Sequence, residues 1–113
     1  MAIEVPKKAR EDVEKLQQYQ QQLQLLTMQK QQLQSQILEI EHSLEELDKV
    51  IEGDVYEIIG NVMVKKDSDS LKNSLNDKKQ DLDLRLSVVD KQVDKISTKT
   101  SEIQKKVMKM VKG

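Results

Sequence analysis

Leucine and isoleucine recur at alternating spacings of three and four along the first half of the chain. Counted from Leu16, the a-type positions are Leu16, Leu23, Lys30, Ile37, Leu44 and Ile51, and the d-type positions are Tyr19, Leu26, Leu33, Ile40 and Leu47. Within this run only Lys30 interrupts the apolar stripe. A 3.5-residue repeat held over so many heptads predicts a supercoiled helix, bounded here at residues 6–52, with Pro6 in the first turn, where its missing N–H costs nothing. At about 1.5 Å per residue such a helix would run to roughly 70 Å. Eleven of the twenty residues from Gln17 to Gln36 are Gln, a bias that by itself fits a low-complexity tract. The intact a/d spacing decides against that reading, because Gln is a good helix former on exposed faces.

A second repeat places Leu75, Leu82, Val89, Ile96, Ile103 and Met110 at d, and Lys72, Lys79, Leu86, Val93, Thr100 and Val107 at a. Every d position is apolar and half of the a positions are polar. So uneven a seam is marginal alone, and the helix predicted over 69–111 is expected to lie antiparallel against the first. Asp67, Ser68 and Asp69 offer caps for its N-terminus, and Lys105, Lys106, Lys109 and Lys112 crowd its end, where the helix dipole favours cations.

Between the helices, over residues 54–67, the period falls toward two. Val55-Tyr56-Glu57-Ile58-Ile59 and Val62-Met63-Val64-Lys65-Lys66 flank Gly60-Asn61, a plausible two-residue turn in which Gly accepts a positive φ at the first central position. An isolated hairpin is marginally stable, and this one is apolar on more than one face. It is therefore expected to pair through its edges with hairpins of other chains into a shared sheet or barrel, burying Val55, Tyr56, Ile58, Ile59, Val62, Met63 and Val64.

Composition narrows the function. With 36% hydrophobic and 2% aromatic residues in 113, the chain is too lean for a compact core, and one domain over 1–113 is expected. Charged residues reach 35% with a net charge of −1, the balance of long solvated helices, which argues against nucleic acid as a partner. There is no Cys, so thiolate metal sites and disulfides are excluded. No apolar run approaches the roughly 20 residues that cross a bilayer, and the N-terminal stretch lacks the pattern of a signal peptide, so no membrane partner and a cytoplasmic location are expected.

The long helix, then Val55-Tyr56-Glu57-Ile58-Ile59-Gly60-Asn61-Val62-Met63-Val64-Lys65-Lys66-Asp67, then a returning helix, together resemble a β-type subunit of prefoldin, over nearly the whole chain. One hairpin rather than two points to the β type. The fold implied is mainly α: a long antiparallel two-helix coiled coil with a short β-hairpin insert at the bend that assembles into an intersubunit β-barrel. The resemblance further implies a hexamer with an α-type partner, two α and four β subunits in the archaeal case, its coiled coils hanging from a double-barrel platform. Such assemblies are ATP-independent chaperones that hold unfolded or nascent proteins at the coiled-coil tips and deliver them to a group II chaperonin. The alternative is a structural or tethering coiled-coil oligomer that holds no client. A helical-arm RNA binder is disfavoured by the near-neutral charge and the lack of an aromatic platform.

No catalytic constellation is visible, and an enzyme is not expected. His42 is the only histidine, and its position in the first repeat reads as helix surface, not as ligand or general base. The carboxylates alternate with lysines, and three glycines leave no phosphate-cradling loop, so neither metal nor cofactor is expected. The acidic stretch from Glu39 to Glu57 is read as a solvated collar pairing with Lys65, Lys66, Lys72, Lys78 and Lys79, or as a complement to a neighbouring subunit. Antiparallel folding would bring Ile3, Val5 and Val13 near Val107, Met108, Met110 and Val111, the candidate client-binding tip. Met suits contact with varied apolar segments; Val107 and Met110 equally serve to finish the seam.

Overall fold

The computed structural model describes the backbone of residues 7–50 and 53–112 and the side chains of 7–50 and 53–110. Two long helices enclose a hairpin: α1 is Lys7–Lys49, β1 is Val55–Ile59, β2 is Val62–Lys66 and α2 is Ser68–Lys112. The chain divides into two units, one of residues 1–31 with 87–113 and one of residues 32–86.

The heptad stripe is what buries. From Leu16 onward the half-buried or buried positions on α1 are Leu16, Tyr19, Leu23, Leu26, Lys30, Leu33, Ile37, Ile40, Leu44 and Leu47, together with Glu41, while their other neighbours are exposed. On α2 every a and d position from Lys72 to Met110 is likewise at least half-buried. A pair of helices can cover little more than this stripe, so most seam residues keep part of their surface in water; half-burying a leucine contributes about 1 kcal/mol, and stability comes from the number of such contacts.

Polar residues in the seam set the direction of pairing. In the unit of residues 32–86, Lys79 Nζ lies 3.3 Å from Glu41 and Lys72 Nζ 3.2 Å from Asp48, so a step forward on α1 is a step back on α2. In the other unit Lys30 Nζ lies 2.8 Å from Asp90 and Lys106 Nζ 3.8 Å from Asp12, the same antiparallel order. Each of the lysines at a core a position, 30, 72 and 79, reaches a carboxylate at an e position of the opposite helix. The hydrogen bond and charge of Asp90 hold the Lys30 ammonium above its ordinary pKa, against the pull of desolvation and with further help from Asp94.

The stripe extends further toward the start of α1 than its leucines do. Stepping back from Leu16 by four and then three residues reaches Asp12 and Ala9, and both are buried, Asp12 with 5% of its surface exposed. A carboxylate thus occupies a core d position, its Oδ2 lacking a hydrogen-bond partner. Thr100 Oγ1, at an a position of α2 in the same unit, is also buried without a partner. Burying polar atoms uncompensated costs free energy, so this stretch of seam is less secure than its leucine-filled part.

The helix boundaries follow from capping. Asp67 accepts hydrogen bonds on its carboxylate from the Ser70 backbone N–H and hydroxyl, each at 3.1 Å, and on its carbonyl from the Leu71 N–H at 2.9 Å. Among the three candidate caps, Asp67 is the N-cap. At the turn of the hairpin Gly60 has φ of +60° while Asn61 keeps negative φ, the pattern of a type II′ turn.

Two outcomes follow from the seam. Ile37→Ala should cost about 2–4 kcal/mol in denaturant unfolding at fixed protomer concentration, while Leu38→Ala, one residue on and facing water, should stay within about 0.5 kcal/mol. Asp12→Leu should raise stability by about 1–2 kcal/mol and slow amide exchange over residues 9–16; a loss of stability would refute the view of Asp12 as a weak point in the seam.

Candidate functional site

The hairpin is the most exposed apolar surface of the described residues. Its strands pair antiparallel in the register Val55 with Lys66, Tyr56 with Lys65, Glu57 with Val64, Ile58 with Met63 and Ile59 with Val62. Alternation puts Tyr56, Ile58, Met63 and Lys65 on one face and Val55, Glu57, Ile59, Val62, Val64 and Lys66 on the other. Of the seven residues expected to bury at assembly, Val55 and Val64 are half-buried and the other five are exposed, Ile58 by 72% and Met63 by 65%. Near the turn both faces are apolar, with Ile58 and Met63 on one side and Ile59 and Val62 on the other. Among the described residues the sheet has two strands, so each strand leaves an edge of N–H and C=O groups that no other described strand pairs.

Along the free edge of β1 runs a groove of about 640 Å3, within the range of ligand pockets, about 300–1,000 Å3. It is lined by Leu47, Leu71 and Leu75 from the helices and by Val50 just after α1, with the carboxylates of Glu46, Asp54 and Glu57. His42 lines it from α1 as an exposed helical side chain.

The other candidate surface lies in the unit that holds the start of α1 and the end of α2. Ile3 and Val5 lie outside the described residues, as does the side chain of Val111. Val107 and Met110 occupy seam positions and are half-buried, whereas Val13 and Met108 are exposed. The structure therefore separates the tip set into seam residues and free ones. Lys7, Lys8, Arg10, Lys105, Lys106 and Lys109 are exposed around them.

Heptad reading overlooked apolar residues that lie off the seam. Leu25 and Met28 on α1 are 62% and 61% exposed, and Leu38, Leu84 and Val88 are exposed too. Leu25 forms the lip of a second groove, about 430 Å3, with Tyr19, Leu26, Ile96, Lys95 and Lys99. Its polar lining comes from g and c positions of the two helices, the flank opposite the e positions where the core lysines find their carboxylates. The signal was present as leucines at c, f and b positions, which a search confined to a and d discards.

The acidic collar pairs only in part at home: among the described residues Glu39, Glu45 and Glu57 make no ion pair, and Glu46 pairs with Lys49 of its own helix. Glu41 and Asp48 hold the core lysines, and Asp54 lies 3.2 Å from Lys65. Among the described residues no group of three or more His, Cys, Asp or Glu side chains converges in a way that would hold a metal ion, and no helix is long and apolar enough to cross a membrane.

Residues 10–113 match the family described as prefoldin subunit. The prefoldin subunit beta of Sulfurisphaera tokodaii is 34% identical over 112 residues, covering 98% of this chain and 90% of that one. That of Archaeoglobus fulgidus is 33% identical over 109 residues, covering 96% and 94%. The crystal structure of the prefoldin beta subunit from Thermococcus strain KS-1 matches with a TM-score of 0.92 at 27% identity, over 99% of each chain. Two helices around a single hairpin, matched over almost the full length by proteins of one kind, place this chain in the prefoldin subunit family, as a β-type member of that family of chaperones.

Proposed function

We propose that this chain is the β-type subunit of an ATP-independent holding chaperone, a cytoplasmic hexamer of two α-type and four β-type subunits. Its hairpin joins a shared β-barrel, the ends of its helix pair hold unfolded or nascent proteins, and a group II chaperonin receives them. The observation that carries this reading is the hairpin. A two-stranded sheet with exposed isoleucine, valine and methionine on both faces and two open edges is unstable in water until other strands cover it. Membership of the prefoldin subunit family supplies the kind of assembly that would do so.

Client holding rests on weaker individual contacts acting together. Val13 and Met108 are exposed at the helix-pair end, and Leu25 lines an apolar groove farther along the same unit. Each such patch is small, so a single subunit would grip poorly, and several on one platform would gain by effective concentration. The adaptable thioether of Met108 suits clients without a fixed shape. Because the family is one of chaperones, a tethering role without client holding is not favoured.

Light scattering of an unfolding client, diluted with this chain and an α-type partner in the absence of nucleotide, tests the proposal. Scattering should be suppressed; unchanged scattering with a hexamer confirmed by mass would transfer the protein to the scaffold class. Removing the residues before Val13 and after Val107 should leave the number of subunits in the oligomer unchanged and abolish suppression, and retained suppression would refute the assignment of holding to that end.

A further inference from the structure

The charge pattern of α1 has a gap that neither the seam nor the hairpin uses. From Leu16 to Leu38 the chain, 35% charged as a whole, holds a single charged residue, Lys30, and that one turns to Asp90. All eleven glutamines of this stretch are exposed. Leu25 and Met28 stand among them, 62% and 61% exposed. Charged side chains normally keep a solvated helix from associating, so a neutral face carrying two large apolar residues is suited to being covered. Leu25 also belongs to the groove of about 430 Å3, whose two sides are unlike. Gln22 and Gln29 line it from α1, Gln92, Lys95 and Lys99 from α2, and Tyr19, Leu26 and Ile96 of the seam add apolar surface. No Asp or Glu lines it, and among the described residues neither Lys95 nor Lys99 makes an ion pair.

We propose that this groove docks an amphipathic helix of another protein, one with an apolar stripe, carboxylates along one flank and uncharged residues along the other. The two helices that form the groove bond their backbone groups internally, so it presents no main-chain edge. An extended segment would press unpaired N–H and C=O groups against Leu25 and Ile96 at a cost, whereas a helix arrives with its backbone already satisfied. From Tyr19 to Gln29 the groove follows α1 for about 15 Å, or about three turns, the reach of apolar anchors at i, i+3 or i+4, and i+7. The lysines select an acidic partner, and because they come from α2 alone they also select its direction. Reversing the docked helix would carry its carboxylates to the glutamine side and leave both lysines unanswered. The matching flank of a second copy of this chain would set lysine against lysine, which disfavours self-association here. The inference goes beyond the holding of unfolded chains, in which the same groove gives one weak contact among several; here it recognises a folded element.

Fluorescence anisotropy with the full chain and labelled peptides of about 18 residues, long enough to form a helix, tests the proposal. The probe carries leucines at the anchor spacing, glutamates along one flank and glutamines along the other. One companion peptide has lysines in place of the glutamates, and a second has a proline at its middle. At low salt the probe should bind roughly tenfold or more tightly than either companion, and added salt should narrow its lead over the lysine peptide. Lys95→Glu with Lys99→Glu should transfer the preference to the lysine peptide, and Leu25→Gln should weaken probe binding roughly tenfold, with circular dichroism keeping the parent helix content. Where the double variant loses helix content, Lys99→Gln is compared in its place and should erase part of the preference. Equal binding of the acidic and basic peptides, equal binding of the proline peptide, or an unchanged preference in the charge-altered variant would each overturn the proposal. So would displacement of the probe by single-stranded RNA as readily as by unlabelled probe, which would give the lysines to polyanions. Client scattering is read separately: suppression without probe binding would sink this proposal alone, and probe binding without suppression would sink the chaperone proposal alone.

Discussion

The antiparallel register of the two helices is the constraint on which the rest depends, and it is fixed less by the apolar seam than by the lysines within it. Leucines repeating every seven residues accept a slip of one heptad at modest cost. Lysines at a positions do not, because each needs a carboxylate at an e position of the other helix. In the unit of residues 32–86 a slip one way would set Lys72 against Val55, and a slip the other way would set Lys79 against Gln34. In the other unit one of the two slips would exchange Asp90 for Ser97 opposite Lys30. Each such change leaves an ammonium at the edge of the core without a partner. The polar interruptions that weaken the seam therefore make it specific.

With the register set, the hairpin has one place to go. Asp67 caps α2 immediately after β2, so few residues separate sheet from helix, and β1 is held beside the end of α1. This closeness makes the groove: Leu47 of α1, Val50 just beyond it, and Leu71 and Leu75 of α2 would otherwise be the open end of a coiled coil, and β1 turns them into one wall of a groove. The same closeness half-buries Val55, Glu57 and Val64 and leaves the residues nearer the turn free. Stability and availability thus divide along each strand, the root being tied to the helices and the turn end given to solvent.

Much of this was legible in the chain because its main patterns are local. A 3.5-residue period names the buried positions of each helix, and the change of period around Gly60-Asn61 names the hairpin, since both depend on neighbours within a few residues. Partners across the seam are a different matter. Lys30 could be recognised as an interruption, yet Asp90 could not be named as its partner until the register between helices was known. The acidic collar was easier, because Asp48, Glu41 and Asp54 lie close in sequence to the hairpin across which Lys72, Lys79 and Lys65 face them. Asp12 escaped notice for a further reason: a search for apolar residues stops at Leu16, although the spacing itself continues to Asp12 and Ala9.

The buried Asp12 makes the seam toward the start of α1 unlike the seam near the hairpin. Near the hairpin the seam is filled by Leu44, Leu47, Leu75 and Leu82, and its lysines are matched by carboxylates. Toward the other end it holds Ala9, a buried Asp12 whose nearest cation is 3.8 Å away, and an unpartnered Thr100. Alanine contributes little apolar area, and a buried carboxylate with a distant partner subtracts from what remains. Local opening draws on the least stable part of a structure, so fluctuations of the helix pair concentrate where Val107 and Met110 complete the seam. Whether those two side chains act as core or as contact surface is then a question of population: packed when the ends are closed, available when they part, and biased toward closure by any residue that fills the position of Asp12 with apolar volume.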